Sequence, residues 1–354
     1  MSVLDAGLAS MANKLRTGAW NLSDLKKPTA KAPTVFSCFH CGGGSSMGYK
    51  LAGFNVLGGV EIDPQMMELY KTNHNPKHSF LMGVEDFNKI PNDELPQELF
   101  ELDVLDGSPP CSSFSTNGKR EKKWGKASKF REGQAVQVLD DLFFHFIATA
   151  KKLQPKVVVA ENVKGLILGN ARGYVREIFK AFRDAGYVAQ LFLLNSSRMG
   201  VPQARERTFF IARREEQSAI TMKFDEQPIS IEQAMEGLSA IGKPVPPSVA
   251  RLYCEVPIGK SFDKARSNLR KNFFSWVKLN PKLPSPTLTS NGDLVHWLAP
   301  NHLNGKAAIR IQSFPDDYNF LKYDPLYVCG MSVPPFMMQR VASEVRSQLL
   351  KDKP

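Results

Sequence analysis

The chain has 354 residues, 42% hydrophobic and 23% charged, the composition of a globular protein able to bury a sizeable core. No run approaches the roughly 18 apolar residues of a membrane span, and the N-terminus lacks the basic, apolar, small order of a secretory signal. Five irregularly spaced cysteines argue against a disulfide framework and for a reducing cytoplasm, while a net charge of +11 points to a polyanionic partner, nucleic acid first.

In chain order, residues 1–32 run into a Lys/Pro/Ala linker and are expected to form a peripheral arm. A strand is predicted at Thr34–Ser37, then a glycine-rich loop, Cys41-Gly-Gly-Gly-Ser-Ser-Met-Gly48, and a short helix to Ala52. A second strand, Val56–Ile62, precedes Asp63-Pro64, an N-cap and first-turn proline for a helix through Tyr70. A glycine loop followed by an acid about 20 residues on is the dinucleotide-type fingerprint, and Glu61 stands where a ribose hydroxyl is held.

The apolar run Leu102–Leu105 leads to Asp106-Gly-Ser-Pro-Pro-Cys-Ser-Ser-Phe-Ser115. Two prolines stiffen the backbone before Cys111, at the strand end where open α/β sheets carry chemistry. Between Asn117 and Glu132 follow seven Lys or Arg against two Glu, with Trp124 and Phe130 interleaved. Cations for phosphates beside aromatic faces for bases suit nucleic-acid contact. A helix is predicted at Asp141–Leu153, and then a buried strand, Lys156–Ala160, that stops at Glu161-Asn162-Val163. An amphipathic helix, Tyr174–Ala185, closes on Gly186, and strands Ala189–Leu194 and Thr208–Ala212 flank a turn carrying Gln203, Arg205 and Arg207.

Repeated βαβ units predict an α/β fold with a doubly wound sheet. From Arg214 to Leu283 periodicity fades and prolines multiply, so a smaller lobe is expected there, and a last helix spans Phe336–Leu350. Cys111, Glu161 and the Arg205/Arg207 pair thus fall at separate strand ends. A carboxylate after Val-Val-Val-Ala is costly unless it is paired or functional. A thiol, an acid and an arginine clamp suit covalent attack on an electron-poor ring.

Read in order, the Phe39-x-x-Gly-Gly-Gly44 loop, Glu61-Ile-Asp63, Pro110-Cys111, Glu161-Asn162-Val163 and Gln203-x-Arg205-x-Arg207 resemble motifs of the DNA cytosine-5 methyltransferases of bacteria and phages. Gln312-Ser-Phe-Pro-Asp316 and Gly330-Met-Ser-Val-Pro-Pro335 complete the set, over residues 34–212 and 285–350. The resemblance implies a Rossmann-like, S-adenosyl-L-methionine-dependent methyltransferase domain at 33–213, a target-recognition lobe at 214–300 and a segment, 301–354, returning to the catalytic domain.

It also implies a double-stranded DNA substrate with a flipped-out cytosine. Cys111 would attack C6, Glu161 would hydrogen-bond N3 and the exocyclic amine, Arg207 would hold the base and its phosphate, and Arg205 would brace the cysteine loop. For the cofactor, Phe39 would stack on adenine and Glu61 would bind the ribose. Main-chain groups around Cys41, Gly42, Gly43 and Gly44 would meet the methionine end, with Ser108, Pro109 and Leu142 nearby; at the adenine amine the usual Gly-Asp pair is Gly83-Val84 here, with Glu85 or Asp86 as substitutes, and His40, Ile62, Met331, Ser332 and Val333 complete the cofactor site. DNA contacts are expected from Ser115, Lys119, Arg120, Lys122, Lys123 and Trp124 in a closing loop, and from Gln203, Thr289 and Asn291. A monomer in the cytoplasm of a bacterial or phage-infected cell is expected, as part of a restriction–modification system or outside one.

The chain departs from the family pattern near the cofactor. Cys41 stands where the glycine loop normally has Gly, Val84 where an Asp contacts the adenine amine, Ser112 where Gln is common, Leu139 where Arg usually precedes the helix and Met331 where the pattern has Asn. Ser112 and Met331 raise the alternative of a modified cofactor, carboxy-S-adenosylmethionine, giving 5-carboxymethylcytosine, which needs a cation such as His40 or Lys50. A transfer-RNA cytosine C5 methyltransferase is a further alternative. An NAD-type oxidoreductase would leave Cys111 and Glu161 without a role, and an inactive DNA-binding regulator is opposed by their presence. Cys38-x-x-Cys41 has no second pair, so no metal is expected.

Overall fold

The computed structural model describes residues 19–110, 127–128, 137–138, 141–168, 172–269 and 272–350. The chain forms two compact units, one of residues 26–194, 206–223 and 338–354, the other of residues 1–25, 195–205 and 224–337.

The first unit is built on a seven-stranded sheet: β1 (Thr34–Cys38), β2 (Asn55–Glu61), β3 (His78–Leu81), β4 (Val104–Gly107), β5 (Val157–Val163), β6 (Val188–Asn195) and β7 (Glu206–Arg213). Their spatial order is β3-β2-β1-β4-β5-β7-β6. The first five strands in that order pair in parallel, and β7 returns antiparallel to β5. The crossovers carry helices α1 (Gly44–Leu51), α2 (Pro64–His74), α3 (Val84–Lys89), α4 (Leu142–Leu153) and α5 (Arg172–Asp184).

Asp63 starts α2 as the sequence predicts: its side chain accepts from the Gln65 and Met66 amides at 2.8 and 3.4 Å, and Pro64 sits in the first turn. Successive residues of β4 address opposite faces. Asp106 accepts a hydrogen bond from Ser45 of α1, whereas a Cβ on Gly107 would lie 2.4 Å from Phe146 Cε2 of α4. Helices therefore cover both faces, and the expected doubly wound α/β sheet is present.

Phe36, Phe87, Phe143, Phe146, Phe182 and Phe210 fill the core. Phe143 meets Phe146, Phe182 and Phe210 edge-on at 6.5, 6.4 and 5.4 Å. Each such ring contributes about 1.5–3 kcal/mol of burial.

Two local expectations fail. Strand β5 does not stop at Glu161 but continues to Val163, because β7 pairs with it through Phe209 opposite Glu161, Thr208 opposite Asn162 and Arg207 opposite Val163. The turn before β7 is not plain loop either: Gln203–Ala204 pairs in parallel with Ser285–Pro286. Both pairings are long-range, and local patterning does not register them.

The second unit has short elements, among them a four-stranded sheet of Ile241–Pro244, Asn301–Leu303, Leu294–Val295 and Val277–Lys278 in that order. Val245, Val249, Leu252, Val256, Phe262, Ala265 and Val295 form a small core beside it. Residues 19–25 are not the peripheral arm expected. Trp20 is buried, its Nε1 donates to the Ser313 carbonyl at 2.9 Å, and its ring lies 5.9 Å from that of Phe336. Among the described residues, no helix is long and apolar enough to cross a membrane.

Candidate active site and cofactor cradle

The strand order reverses between β1 and β4, which opens the crevice where doubly wound sheets bind ligands. The two strand ends are joined there, since the Ser108 amide donates to the Cys38 carbonyl at 3.4 Å.

The loop leaving β1 is wound tightly. Phe39, Cys41 and Gly43 have φ of 56°, 47° and 78°. Only glycine suits position 43, because a Cβ there would lie 2.2 Å from His74 Nε2. Gly43 also caps α1, and Gly44 is the first residue of that helix. The strain at Phe39 and Cys41 is held from below by Glu61. Its buried carboxylate accepts the Cys41 amide on one oxygen at 2.9 Å and the Ile62 and Asp63 amides on the other at 2.9 and 3.0 Å. Burial raises the Glu61 pKa, and the three amides oppose that rise. Three of about four lone-pair positions are used, so the fourth can take a hydroxyl.

His40 and the adenine-side residues depart from expectation. His40 turns into the protein, where its ring stacks on Tyr70 at 3.7 Å, Tyr70 in turn stacks on His74 at 4.4 Å, and Nδ1 contacts the Cys41 carbonyl at 3.1 Å. Burial lowers its pKa to about 4, so the ring is neutral. Cys41 is half-buried with Sγ 3.7 Å from Met66 Sδ. Val84 is packed in the core rather than presented to a ligand. Glu85 is exposed and pairs with Lys89 at 3.0 Å, and Asp86 pairs with the same lysine at 3.1 Å. One turn of helix brings Lys89 back over both acids, a pairing the i,i+3 and i,i+4 spacing already encoded. Leu142 is buried as the first residue of α4, Ile62 and Ser108 are half-buried, and Gly42 is buried in the loop.

At the tip of β5, Arg207 Nε meets Glu161 Oε1 at 2.9 Å, with both side chains nearly buried. The carboxylate whose position looked costly is thus paired across the ladder, and Arg207 Nη1 also donates to the Glu206 carbonyl at 2.8 Å. Asn162 donates its amide to the Pro109 carbonyl at 3.0 Å. That contact, which sequence reasoning missed, fixes the chain two residues before Cys111 against the residue next to Glu161. Cys111 itself, with Ser112, Ser115, Lys119, Arg120, Lys122, Lys123, Trp124 and Leu139, lies outside the described residues.

The remaining residues belong to the second unit. Arg205, expected at the cysteine loop, is buried and donates to the carbonyls of Leu288 at 2.9 Å and Gly330 at 3.0 Å. Gln203, expected at DNA, is fully buried with both ends of its amide engaged. It donates to Gln312 Oε1 at 2.6 Å and accepts from the Leu288 amide at 2.9 Å, and Gln312 goes on to the Ser332 carbonyl at 2.6 Å. Ser332 and Val333 are buried, Met331 is 38% exposed, Thr289 is half-buried and Asn291 is exposed.

Residues 34–243 match the profile of the family described as C-5 cytosine-specific DNA methylase. The type II methyltransferase M.NgoPII of Neisseria gonorrhoeae is 26% identical, over 91% of this chain and 98% of that protein. The orphan methyltransferase M.SPRI of Bacillus phage SPR is 36% identical, over 48% of this chain and 34% of that protein. Among solved structures, a DNA modification methyltransferase encoded within an E. coli prophage has the same fold, with a TM-score of 0.68 at 19% identity over 90% of this chain and 100% of that one. With the profile matched over more than half its length, the chain belongs to the C-5 cytosine-specific DNA methylase family, the DNA (cytosine-5-)-methyltransferases.

Proposed function

We propose that the protein transfers a methyl group from S-adenosyl-L-methionine to C5 of a cytosine flipped out of double-stranded DNA, with Cys111 as the nucleophile. The observation that carries this reading is the Glu161–Arg207 pair on β5 and β7, with Asn162 beside it holding the Pro109 carbonyl at the entrance to the Cys111 segment. Cys111, as thiolate, adds to C6 and drives the ring electrons toward C5. A proton shared between one Glu161 oxygen and N3 lets the ring accept the electrons as the thiolate adds, the other oxygen accepts from the exocyclic amine, and Arg207 orients Glu161 and holds the base. After transfer a water molecule acting as base takes the C5 proton, the C5–H electrons restore the 5,6 double bond, and Cys111 departs as thiolate with the C6–S electron pair.

The residues of the β1 loop fit the cofactor. Glu61 retains a lone pair for a ribose hydroxyl, and the Gly43–Gly44 backbone is free of side chains at the helix N-terminus. When bound, S-adenosylmethionine supplies an electrophilic methyl on a sulfonium. A carboxylated analogue fits less well. Of the two cations considered for it, His40 is neutral and stacked inward, and Lys50 donates to the His74 carbonyl at 3.1 Å with burial lowering its pKa to about 8.

Trapping tests the reading. DNA containing 5-fluorocytosine, whose C5 position cannot lose a proton, should leave a covalent adduct with the protein in the presence of S-adenosylmethionine, and Cys111→Ser should abolish it. An adduct with transfer RNA but not with DNA would overturn the substrate, and an adduct that survives Cys111→Ser would overturn the nucleophile.

A further inference from the structure

Positive charge is concentrated in a part of the second unit that the proposed reaction does not use. Between Lys243 and Lys282 stand nine Lys or Arg against Glu255 and Asp263, so these forty residues carry seven of the chain's eleven net positive charges. Both acids are already engaged. The Glu255 carboxylate accepts the Ser267 amide at 2.9 Å and the Ser267 hydroxyl, and Asp263 pairs with Lys264 at 3.4 Å. Arg251 follows the short helix Pro247–Ala250, and its neighbours Val249 and Leu252 are buried in the small core, which leaves Arg251 exposed. Among the described residues its guanidinium has no hydrogen-bond or ion-pair partner. Arg251 lines a cleft of about 450 Å³ with Ser248, Ser267, Asn268, Asn272 and Phe273, and no described carboxylate lines it. The cleft is built on the core: Asn268 Nδ2 donates to the Phe262 carbonyl at 3.2 Å, and Phe273 packs against Val245, Val249 and their neighbours. Ser248 and Asn272 are exposed and add a hydroxyl and an amide as neutral donors. An unpaired guanidinium beside neutral donors suits a phosphodiester, whose oxygens accept from both.

We infer that this cleft seats a backbone phosphate of the DNA substrate, with Arg251 as its cation and Ser248 and Asn272 as neutral donors. The inference rests on the reading that DNA is the substrate, and it adds residues outside the contact set that the sequence supplied. Phosphate contacts fix where a duplex lies without reading its bases, so the cleft contributes affinity and register and leaves the choice of sequence to other residues.

Fluorescence anisotropy of labelled duplexes over a range of salt concentrations tests it. With the full chain, the logarithm of the association constant should fall linearly with the logarithm of salt concentration. Arg251→Gln should make that slope shallower by about 0.9, the share of one phosphate contact, and weaken binding about five- to tenfold at about 0.1 M salt. The loss should be the same for a duplex containing cytosine and for one of A·T pairs alone. Lys180→Gln, which removes an exposed charge from α5 of the first unit, should leave the slope unaltered. An unchanged slope in Arg251→Gln, a loss confined to cytosine-containing DNA, or an equal effect of Lys180→Gln would overturn the phosphate seat alone. Failure of the unaltered protein to bind either duplex would overturn the substrate reading with it.

Discussion

The pairing of Glu161 with Arg207 has a cost that can be separated from catalysis by a double-mutant cycle. The two side chains are 10% and 13% exposed and their atoms 2.9 Å apart, so solvent screens them little. Removing one partner of a buried ion pair costs about 3–5 kcal/mol, chiefly through the charge left behind. Arg207→Gln also takes a donor from the Glu206 carbonyl, worth about 1 kcal/mol. The single variant should therefore lose about 4–6 kcal/mol. In Glu161→Gln/Arg207→Gln both charges are gone and the two amides can bond to each other, so the double variant should lose clearly less than the sum of the singles. A coupling of about 1.5–3 kcal/mol is expected. Urea unfolding of the full chain by far-ultraviolet circular dichroism gives each corner, as apparent values because a chain of two units need not unfold in one step. Single losses that add to the double loss within about 0.5 kcal/mol would refute the view that the two groups neutralise each other in the fold.

Two further outcomes concern the core and the loop. Phe143→Ala empties a site ringed by Phe146, Phe182 and Phe210 and should cost about 3–5 kcal/mol, and a urea midpoint loss equivalent to less than about 1 kcal/mol would contradict the packing. His40 has its pKa lowered by burial from 6.5 to about 4, so between those values the unfolded chain binds more protons than the fold. Its contribution to stability is constant above pH 6.5 and falls as pH drops through the window, by about 3 kcal/mol in all. His40→Phe keeps the stack on Tyr70 and should remove that slope relative to the unaltered protein, with Asp106 and His74 cancelling in the difference. An unchanged slope between pH 4 and 6.5 would refute it.

The frame of the sheet was legible because local signals determine it. Asp63-Pro64 carries a local helix-start signal, and the continuous apolar run Val157–Ala160 suits the buried parallel strand it forms. Glu161 and Arg207 were legible as chemistry, though not as a pair, since their contact depends on the register of β7 against β5. Gln203 was hidden for the same kind of reason. In sequence it looks like a polar group offered to DNA, but Leu288 and Gln312, more than eighty residues away, engage both ends of its amide. The ion pairs of Glu85 and Asp86 were legible locally, since Lys89 stands four and three residues on.

The end of the helix Pro335–Leu349 contributes to the sheet unit in a way that bears on how the chain is made. Arg346 Nη1 donates to the Ala52 carbonyl at 3.1 Å and Gln339 Nε2 to the Leu51 carbonyl at 3.4 Å, closing the last turn of α1 across nearly three hundred residues. The sheet's own chain is interrupted at 195–205 and again at 224–337. During synthesis β1 and α1 leave the ribosome nearly three hundred residues before the groups that satisfy the end of α1. In that interval the glycine-loop helix is incompletely supported, and chaperone capture or proteolysis competes with folding. The glycine-loop helix, although written between residues 44 and 51, is therefore fully supported only once Gln339 and Arg346 have been made.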